Sequence, residues 1–154
     1  DGRSGDGRGA YGGVMTGAAE DDQALLAANQ AYYDAFEAKN LAAMSTLWEH
    51  SPRATCTHPG WVTLRGWNEV AASFFALFQG DGNLQFVLTQ PRVTVQGDLG
   101  WITLDENLLG NQGGATIATT NLFVRHGEGW RMLLHHGSPV HAPSPSWAGR
   151  EGQF

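Results

Sequence analysis

Apolar residues recur every three to four positions in the first half of the chain and alternate with polar residues in the second half. The first spacing is typical of amphipathic helices, and the second is typical of half-buried strands. The chain therefore predicts helices followed by an antiparallel meander. This order indicates α+β architecture, with the helices packed on one face of a sheet.

Three helices are predicted. The first begins at Asp21 or Asp22, which are acceptable caps, and ends near Ala38. Its apolar stripe consists of Leu25, Ala28, Tyr32 and Phe36, with Leu26 and Tyr33 beside it. A second, short helix after Asn40 carries Leu41, Met44, Leu47 and Trp48. A third helix covers residues 67–78, and its predicted buried face is Val70, Phe74, Phe75 and Phe78.

The predicted strands begin with a short β-prone run that ends in His58. The meander then covers residues 84–90, 92–96, 101–109, 116–125 and 130–137. Pro91 forces an edge position or a bulge between the first two of these segments, because proline cannot donate to the ladder. Residues 1–20 are rich in glycine and predict a flexible leader, and residues 141–154 predict an irregular tail. One domain over residues 21–140 remains.

The last hairpin decides which side chains share a face. If Gly127 and Glu128 are the two central turn residues, Phe123 lies opposite Met132 and Asn121 lies opposite Leu134. The face that carries Asn121 and Phe123 then also carries Trp130, Met132, Leu134 and His136, while His135 points the other way. A bulge at Gly129 would exchange the partners, so both registers stay open.

The strand over residues 101–109 offers a similar choice. Trp101, Thr103, Asp105 and Asn107 alternate with Ile102, Leu104, Glu106 and Leu108. The first set is aromatic and polar, as in the wall of a pocket, and favours Asp105 over Glu106 as the inward carboxylate. The opposite choice remains open, because the same composition suits a solvated or subunit-facing surface.

Composition excludes several classes of function. The chain has 154 residues, a formal net charge of -6 and no basic run, so a nucleic-acid partner is not expected. No apolar stretch approaches the roughly 20 residues that span a bilayer, so no membrane partner is expected. A single cysteine, Cys56, excludes an internal disulfide and, with no signal-peptide pattern, favours a cytoplasmic location. The histidine spacing predicts no metal site, and no cofactor is expected.

Two motifs resemble a known family. A turn places Trp61 directly after His58, Pro59 and Gly60, and the last strand opens with Trp130 and ends near His135, His136 and Pro139. Together they resemble SnoaL-like domains of the nuclear transport factor 2-like, cystatin-like superfamily, over about residues 22–140. That superfamily includes the association domain of calcium/calmodulin-dependent kinase II.

The resemblance implies a cone-shaped curved sheet around a pocket, usually in a homodimer. Members include isomerases, cyclases, dehydratases and proteins with no known reaction. The kinase domain's pocket positions match Asn121 and Thr103 here, but this chain has neutral residues where that domain has basic ones. An acidic ligand held by arginines is therefore not expected.

These observations give two hypotheses of function. The first is a cofactor-free isomerase, cyclase or dehydratase for a largely apolar small molecule, with His58, Asp105 and His136 as catalytic candidates. Its candidate ligand-binding residues are Tyr33, Trp61, Thr103, Asn121 and Phe123. The second hypothesis is a non-catalytic ligand-binding or oligomerisation module. For His58 the alternative role is structural, fixing the turn at Pro59.

A homodimer is also expected, because a sheet with helices on one face leaves its other face to be covered. Because side chains alternate along a strand, one face of the sheet is predicted to carry a common set of apolar residues: Ile102, Leu104, Leu108, Leu122 and Val124. If that set points outward, it forms the interface. If it points inward, the set with Trp101, Asn121 and Phe123 forms the interface instead.

Overall fold

A computed structural model describes residues 17–110 and 114–141. Its helices are α1 (Gly17–Glu37), α2 (Leu41–Leu47) and α3 (Trp67–Phe78). Its strands are β1 (Thr55–Thr57), β2 (Leu64–Arg65), β3 (Gln85–Gln96), β4 (Leu99–Leu109), β5 (Ala115–His126) and β6 (Gly129–Pro139). The leader and tail predictions lie largely outside the described residues.

The six strands form one sheet in the order β2-β1-β6-β5-β4-β3. Strands β3 to β6 pair in antiparallel fashion as a meander, whereas β1 lies parallel to β6. This parallel pair brings the segment that ends in His58 beside the last strand of the chain. The predicted α+β architecture is therefore confirmed, with one strand pair outside the meander.

The helices cover one face of the sheet, which we call the inner face. Leu25 and Tyr32 of α1 and Phe74 of α3 are fully buried there against Ile102 and Met132 of the sheet. Helix α1 begins about one turn before the predicted Asp21, because Ala18, Ala19 and Glu20 are good helix formers. Helix α2 begins after Asn40, whose side chain accepts a hydrogen bond from the Ala43 amide.

The predicted break at Pro91 is present as a register shift. The pairing of β3 with β4 changes between Thr89 and Arg92, and Gln90 adopts a positive φ of 59°. A non-glycine residue rarely adopts this conformation, so the chain accepts local strain to pass the proline. Beyond the shift, Val93 lies opposite Ile102 and continues the inner face.

A bulge in β6 reverses part of the predicted hairpin. Pairing follows the predicted register from the turn to Phe123 and Met132, and it then shifts by one residue at Leu133. Asn121 therefore lies opposite His135 rather than Leu134. The prediction that His136 shares the inner face is wrong: His135 is buried, whereas His136 is exposed on the outer face.

The facing of β4 also differs from the prediction. Glu106 is buried at 3% exposure, and Asp105 lies on the outer face together with the exposed Thr103. The predictions that Asp105 and Thr103 face the pocket are therefore wrong. Burying Ile102 and Leu104 stabilises the folded state by roughly 1.5–3 kcal/mol each. This determines which side chains of β4 face inward. The carboxyl of Glu106 is carried inward with them.

The apolar residues of β4 and β5 that were predicted to share one face of the sheet, and so to form or exclude a dimer interface together, lie on different faces. Ile102 lies opposite Asn121, and both are fully buried, whereas Leu122 lies opposite Trp101 on the outer face. Leu134 extends this outer row by pairing with Leu122. The homodimer itself stays a prediction. None of the helices in the described residues is long and apolar enough to cross a membrane.

One more correction concerns α3, and it gives a test of the fold. Phe75 was predicted to be buried, but it is 56% exposed, whereas Phe74 beside it is fully buried. We expect Phe74→Ala to lower the free energy of unfolding by about 3–5 kcal/mol. Phe75→Ala should change it by less than about 1 kcal/mol. Chemical denaturation of both variants checks this, and equal losses would contradict the facing of α3.

Candidate functional site

A cavity of about 180 Å³ lies between the helices and the inner face of the sheet. Most of its wall is apolar: Tyr32, Phe36, Pro59, Trp61, Leu77, Leu84, Phe86 and Leu108. Among the described residues, the rest of the lining consists of His58, Glu106 and His135. Trp61 and Leu84 are 44% and 39% exposed, so they mark the side on which the cavity meets solvent.

A chain of hydrogen bonds links two of these titratable groups beneath the cavity. The Tyr33 hydroxyl donates to Glu106 Oε1 at 2.6 Å. The Asn121 amide donates from Nδ2 to the Tyr33 oxygen at 3.1 Å and to Asn29 Oδ1 at 2.9 Å. His135 Nδ1 lies 2.7 Å from Asn121 Oδ1. Side chains from α1, β4, β5 and β6 therefore meet in one buried network.

The network fixes the tautomer of His135. Both Nδ2 protons of Asn121 are engaged, so its Oδ1 is the acceptor and His135 Nδ1 carries the proton. Nε2 then holds a lone pair, and it has no hydrogen-bond partner within residues 17–110 and 114–141. Because His135 lines the cavity, this nitrogen is a candidate proton acceptor for a ligand there.

His58 is held differently. Its Nε2 lies 2.8 Å from Ser73 Oγ, and the Ser73 hydroxyl donates to the carbonyl of Val70. His58 Nε2 therefore donates its proton to Ser73 and ties β1 to α3. The Trp61 ring stands edge-on to His58 at 5.0 Å. This geometry favours the structural role for His58, although the ring also lines the cavity.

Burial sets the charges of the site. Desolvation lowers the pKa of His135 to about 3 and that of His58 to about 4, so both rings are neutral near pH 7. Desolvation raises the pKa of Glu106, against the opposing hydrogen bonds from Tyr33 and Thr119. Burial, together with the neighbouring Glu106 carboxyl, raises the pKa of Tyr33, so its phenol stays protonated.

Cys56 does not add a nucleophile to the site. Its Sγ lies 3.6 Å from His58 Nε2, but the thiol is fully buried. Burial raises its pKa to about 12, with a further contribution from Glu106. A thiol in this state stays protonated and unreactive at neutral pH. No group of three or more histidine, cysteine, aspartate or glutamate side chains in the described part of the chain could hold a metal ion.

The structure separates the sequence-predicted site residues into three groups. His58 and Trp61 line the cavity, and Tyr33 and Asn121 lie directly beneath it in the polar network. Phe123 is buried in the core. The outer-face residues Thr103, Asp105 and His136 share a separate open groove of about 540 Å³ with Arg92 and Thr120.

The sequence left Glu106 and His135 open as alternatives to Asp105 and His136, and the favoured member of each pair was wrong. Asn29 was not predicted at all. Glu106 had one available signal, because it is the only charged residue in its alternating apolar set on β4. Asn29 likewise lies among apolar positions of α1, where a buried amide needs partners. No comparable signal exists for His135, since its facing depends on the bulge at Leu133.

Residues 25–143 match the SnoaL-like domain family, which is well over half of the chain. The chain belongs to this family. The resemblance found in the sequence is thereby confirmed.

Two solved structures are similar to this SnoaL-like domain, each at 34% identity. One is a "putative dehydratase" of the NTF2-like family from Streptomyces avermitilis, with a TM-score of 0.74 over 80% of this chain and 98% of that one. The other is a "putative calcium/calmodulin-dependent protein kinase type II association domain" from Thiobacillus denitrificans, with a TM-score of 0.66 over 75% and 94%.

A curated relative is F-box protein SKIP8 of Arabidopsis thaliana, 28% identical over 116 residues. The match covers 75% of this chain and 49% of that protein, so the SnoaL-like domain spans about half the length of this relative.

The depressed pKa of His135 predicts how stability changes with pH. The unfolded chain binds a proton at this histidine below about pH 6.5, and the folded chain does so only near its pKa of about 3. The stability contributed by the neutral ring is therefore complete above pH 6.5 and is lost as the pH falls toward 3. Between pH 6 and 4 the free energy of unfolding should fall by about 1.4 kcal/mol per pH unit from His135 alone.

Matched variants isolate this effect from other groups, including Glu106, whose raised pKa acts in the opposite sense. Denaturant unfolding at pH 6, 5 and 4 should show a slope that is smaller by this amount in His135→Gln than in the wild type. His136→Gln, which changes the exposed neighbour, should keep the wild-type slope. An unchanged slope in His135→Gln would show that His135 is not buried as a neutral ring.

Proposed function

We propose that this SnoaL-like domain is a cofactor-free acid–base enzyme that dehydrates a small β-hydroxy carbonyl compound. The observation that carries the proposal is a proton acceptor, His135 Nε2, and a carboxyl with a raised pKa, Glu106, in one apolar cavity. Two titratable groups whose environments differ are typical of acid and base roles in one active site. The similar Streptomyces avermitilis protein is itself named a "putative dehydratase".

In the proposed reaction, His135 Nε2 takes a proton from the carbon next to the substrate carbonyl. The C–H electron pair forms the new carbon–carbon double bond, and the bond to the β-hydroxyl breaks. Glu106 gives its proton to the departing hydroxyl, which leaves as water. The atoms balance without any oxidant or reductant, and the water can return the proton from His135 to Glu106.

The hydrogen-bond network supports these roles. Tyr33 donates to Glu106 Oε1, so that oxygen is an acceptor and the proton of a neutral carboxyl lies on Oε2. The pKa of about 3 for His135 makes the free ring a weak base. When Glu106 loses its proton, the new negative charge in the same cavity raises the basicity of the ring. Proton donation and proton uptake are therefore coupled.

Asn121 is a positioning residue in this scheme. It does not line the cavity, but it holds the His135 ring with Nδ1 protonated and also orients the Tyr33 hydroxyl. Loss of this amide would let the ring adopt the other tautomer, in which Nε2 carries a proton and cannot accept one. The network thus links the orientation of the base to that of the acid.

The second candidate is ligand binding without a reaction. Its specific support is that His58, which lines the cavity, is hydrogen-bonded through Nε2 to Ser73 in a structural role, and Ser73 in turn donates to the Val70 carbonyl. The similarity to a "putative" kinase association domain is consistent with this candidate. A cavity that retains a ligand but shows no turnover would favour it.

The dehydration of 3-hydroxycyclohexanone to cyclohex-2-enone tests the proposal. The reaction is followed by the ultraviolet absorption of the conjugated enone and by proton NMR. We expect Glu106→Gln and His135→Gln to lower kcat/KM by about 10²–10⁴-fold each, since each removes one proton-transfer group.

The chain supplies a matched control beside each of these residues. Asp105→Asn and His136→Gln change the adjacent outer-face side chains and should keep the wild-type rate, because neither residue lines the cavity. The proposed site would be contradicted if turnover survives in both Glu106→Gln and His135→Gln. It would also be contradicted if Asp105→Asn and His136→Gln lose turnover to the same extent. Ligand retention without turnover in the wild type would support the second candidate.

A further inference from the structure

From the size, wall and charge of the cavity, we infer that it takes an uncharged molecule of one six-membered ring that carries a hydroxyl or carbonyl oxygen. This inference names the substrate class of the proposed enzyme and therefore rests on the same site. It is a statement about binding, so it can be tested without any turnover.

The volume sets the size of the ligand. The cavity measures about 180 Å³. An apolar cavity of about 150 Å³ in an engineered protein holds one benzene molecule, whereas pockets for drug-sized ligands have about 300–1,000 Å³. One ring with a short substituent fits this space, and a fused two-ring compound exceeds it.

The wall favours a flat apolar body. Tyr32, Phe36 and Phe86 present aromatic side chains to the cavity, and Leu77 and Leu108 supply aliphatic contacts. The Phe36 and Phe86 rings already meet edge-on at 5.2 Å, so they form a fixed corner rather than a flexible surface. A ring that fills the space gains these contacts with little loss of side-chain freedom.

The charges argue for a neutral ligand. No lysine or arginine of the described residues lines the cavity, and both histidine rings are neutral, so a carboxylate or phosphate would lose its hydration without a counter-ion from this part of the chain. An ammonium group would have to lose its hydration beside Glu106, whose Oε1 already accepts the Tyr33 hydroxyl, and the attraction within a buried ion pair often fails to repay that desolvation. A hydroxyl or carbonyl oxygen instead carries no full charge, and it can hydrogen-bond with the polar groups of the lining, the Glu106 carboxyl and the His135 ring.

Three ligands of similar shape separate these cases: benzyl alcohol, benzylammonium and benzoate. Titration at pH 7, followed by calorimetry and by NMR shifts of the protein, measures their affinities. We expect benzyl alcohol to bind at least about tenfold more tightly than either ion, because only the ions must give up the hydration of a full charge. The two-ring 2-naphthylmethanol should bind at least about tenfold more weakly than benzyl alcohol because of the cavity's size.

A plug at the mouth locates the binding. Leu84 lines the cavity and is partly exposed, so Leu84→Trp should fill the opening while the protein stays folded. This variant should lose benzyl alcohol binding, whereas His136→Gln on the outer face should keep it. Thermal unfolding of Leu84→Trp confirms that the fold is intact. If it is not, Leu84→Phe provides the same block with a smaller side chain.

The inference is overturned if benzylammonium or benzoate binds as tightly as benzyl alcohol, or if none of the three binds. It is also overturned if 2-naphthylmethanol binds as well as benzyl alcohol, or if folded plugged variants keep full affinity. The proposed dehydration fails separately. Selective binding of benzyl alcohol without conversion of 3-hydroxycyclohexanone would leave this inference standing and remove the proposed reaction.

Discussion

The buried amide of Asn121 joins the parts of the molecule on which the candidate site depends. It is fully buried on β5 and hydrogen-bonds to α1 through Asn29 and Tyr33 and to β6 through His135. A buried amide without partners would cost about 1–3 kcal/mol for each unmade bond, so helix, strand and histidine ring are held in one arrangement. The positions of both His135 and Glu106 follow from it.

The apolar packing around this network determines its chemistry. Aromatic side chains and the sheet exclude water, and burial shifts the pKa of His135 down and that of Glu106 up. Each shift disfavours the charged form of its group, which suits an acid and a base that exchange protons with a substrate. Asp105 and His136 directly adjoin Glu106 and His135 in the chain, but they lie on the outer face and share an open groove with no such enclosure.

Much of the fold could be predicted from the sequence because its signals are local. The apolar spacing over residues 67–78 predicted α3, and Pro91 predicted the irregularity in β3. The site depends on which strand side chains face inward, and this depends on contacts between distant parts of the chain. One extra residue in β6, Leu133, turns His135 inward and His136 outward. On β4, the burial of Ile102 and Leu104 overrode the polar pattern that favoured Asp105. The pairing of β1 with β6 is likewise a tertiary contact without a sequence signal.

The central claim is that His135 presents an unprotonated Nε2 to the cavity, and nitrogen-15 NMR of the imidazole rings tests it most directly. His135→Gln and His136→Gln identify the two resonances by their loss. The account predicts that His135 is a neutral ring with the proton on Nδ1 at pH 7, and that it remains neutral down to about pH 4, in line with its pKa of about 3. A proton on Nε2, or a titration of His135 near pH 6.5, would contradict it.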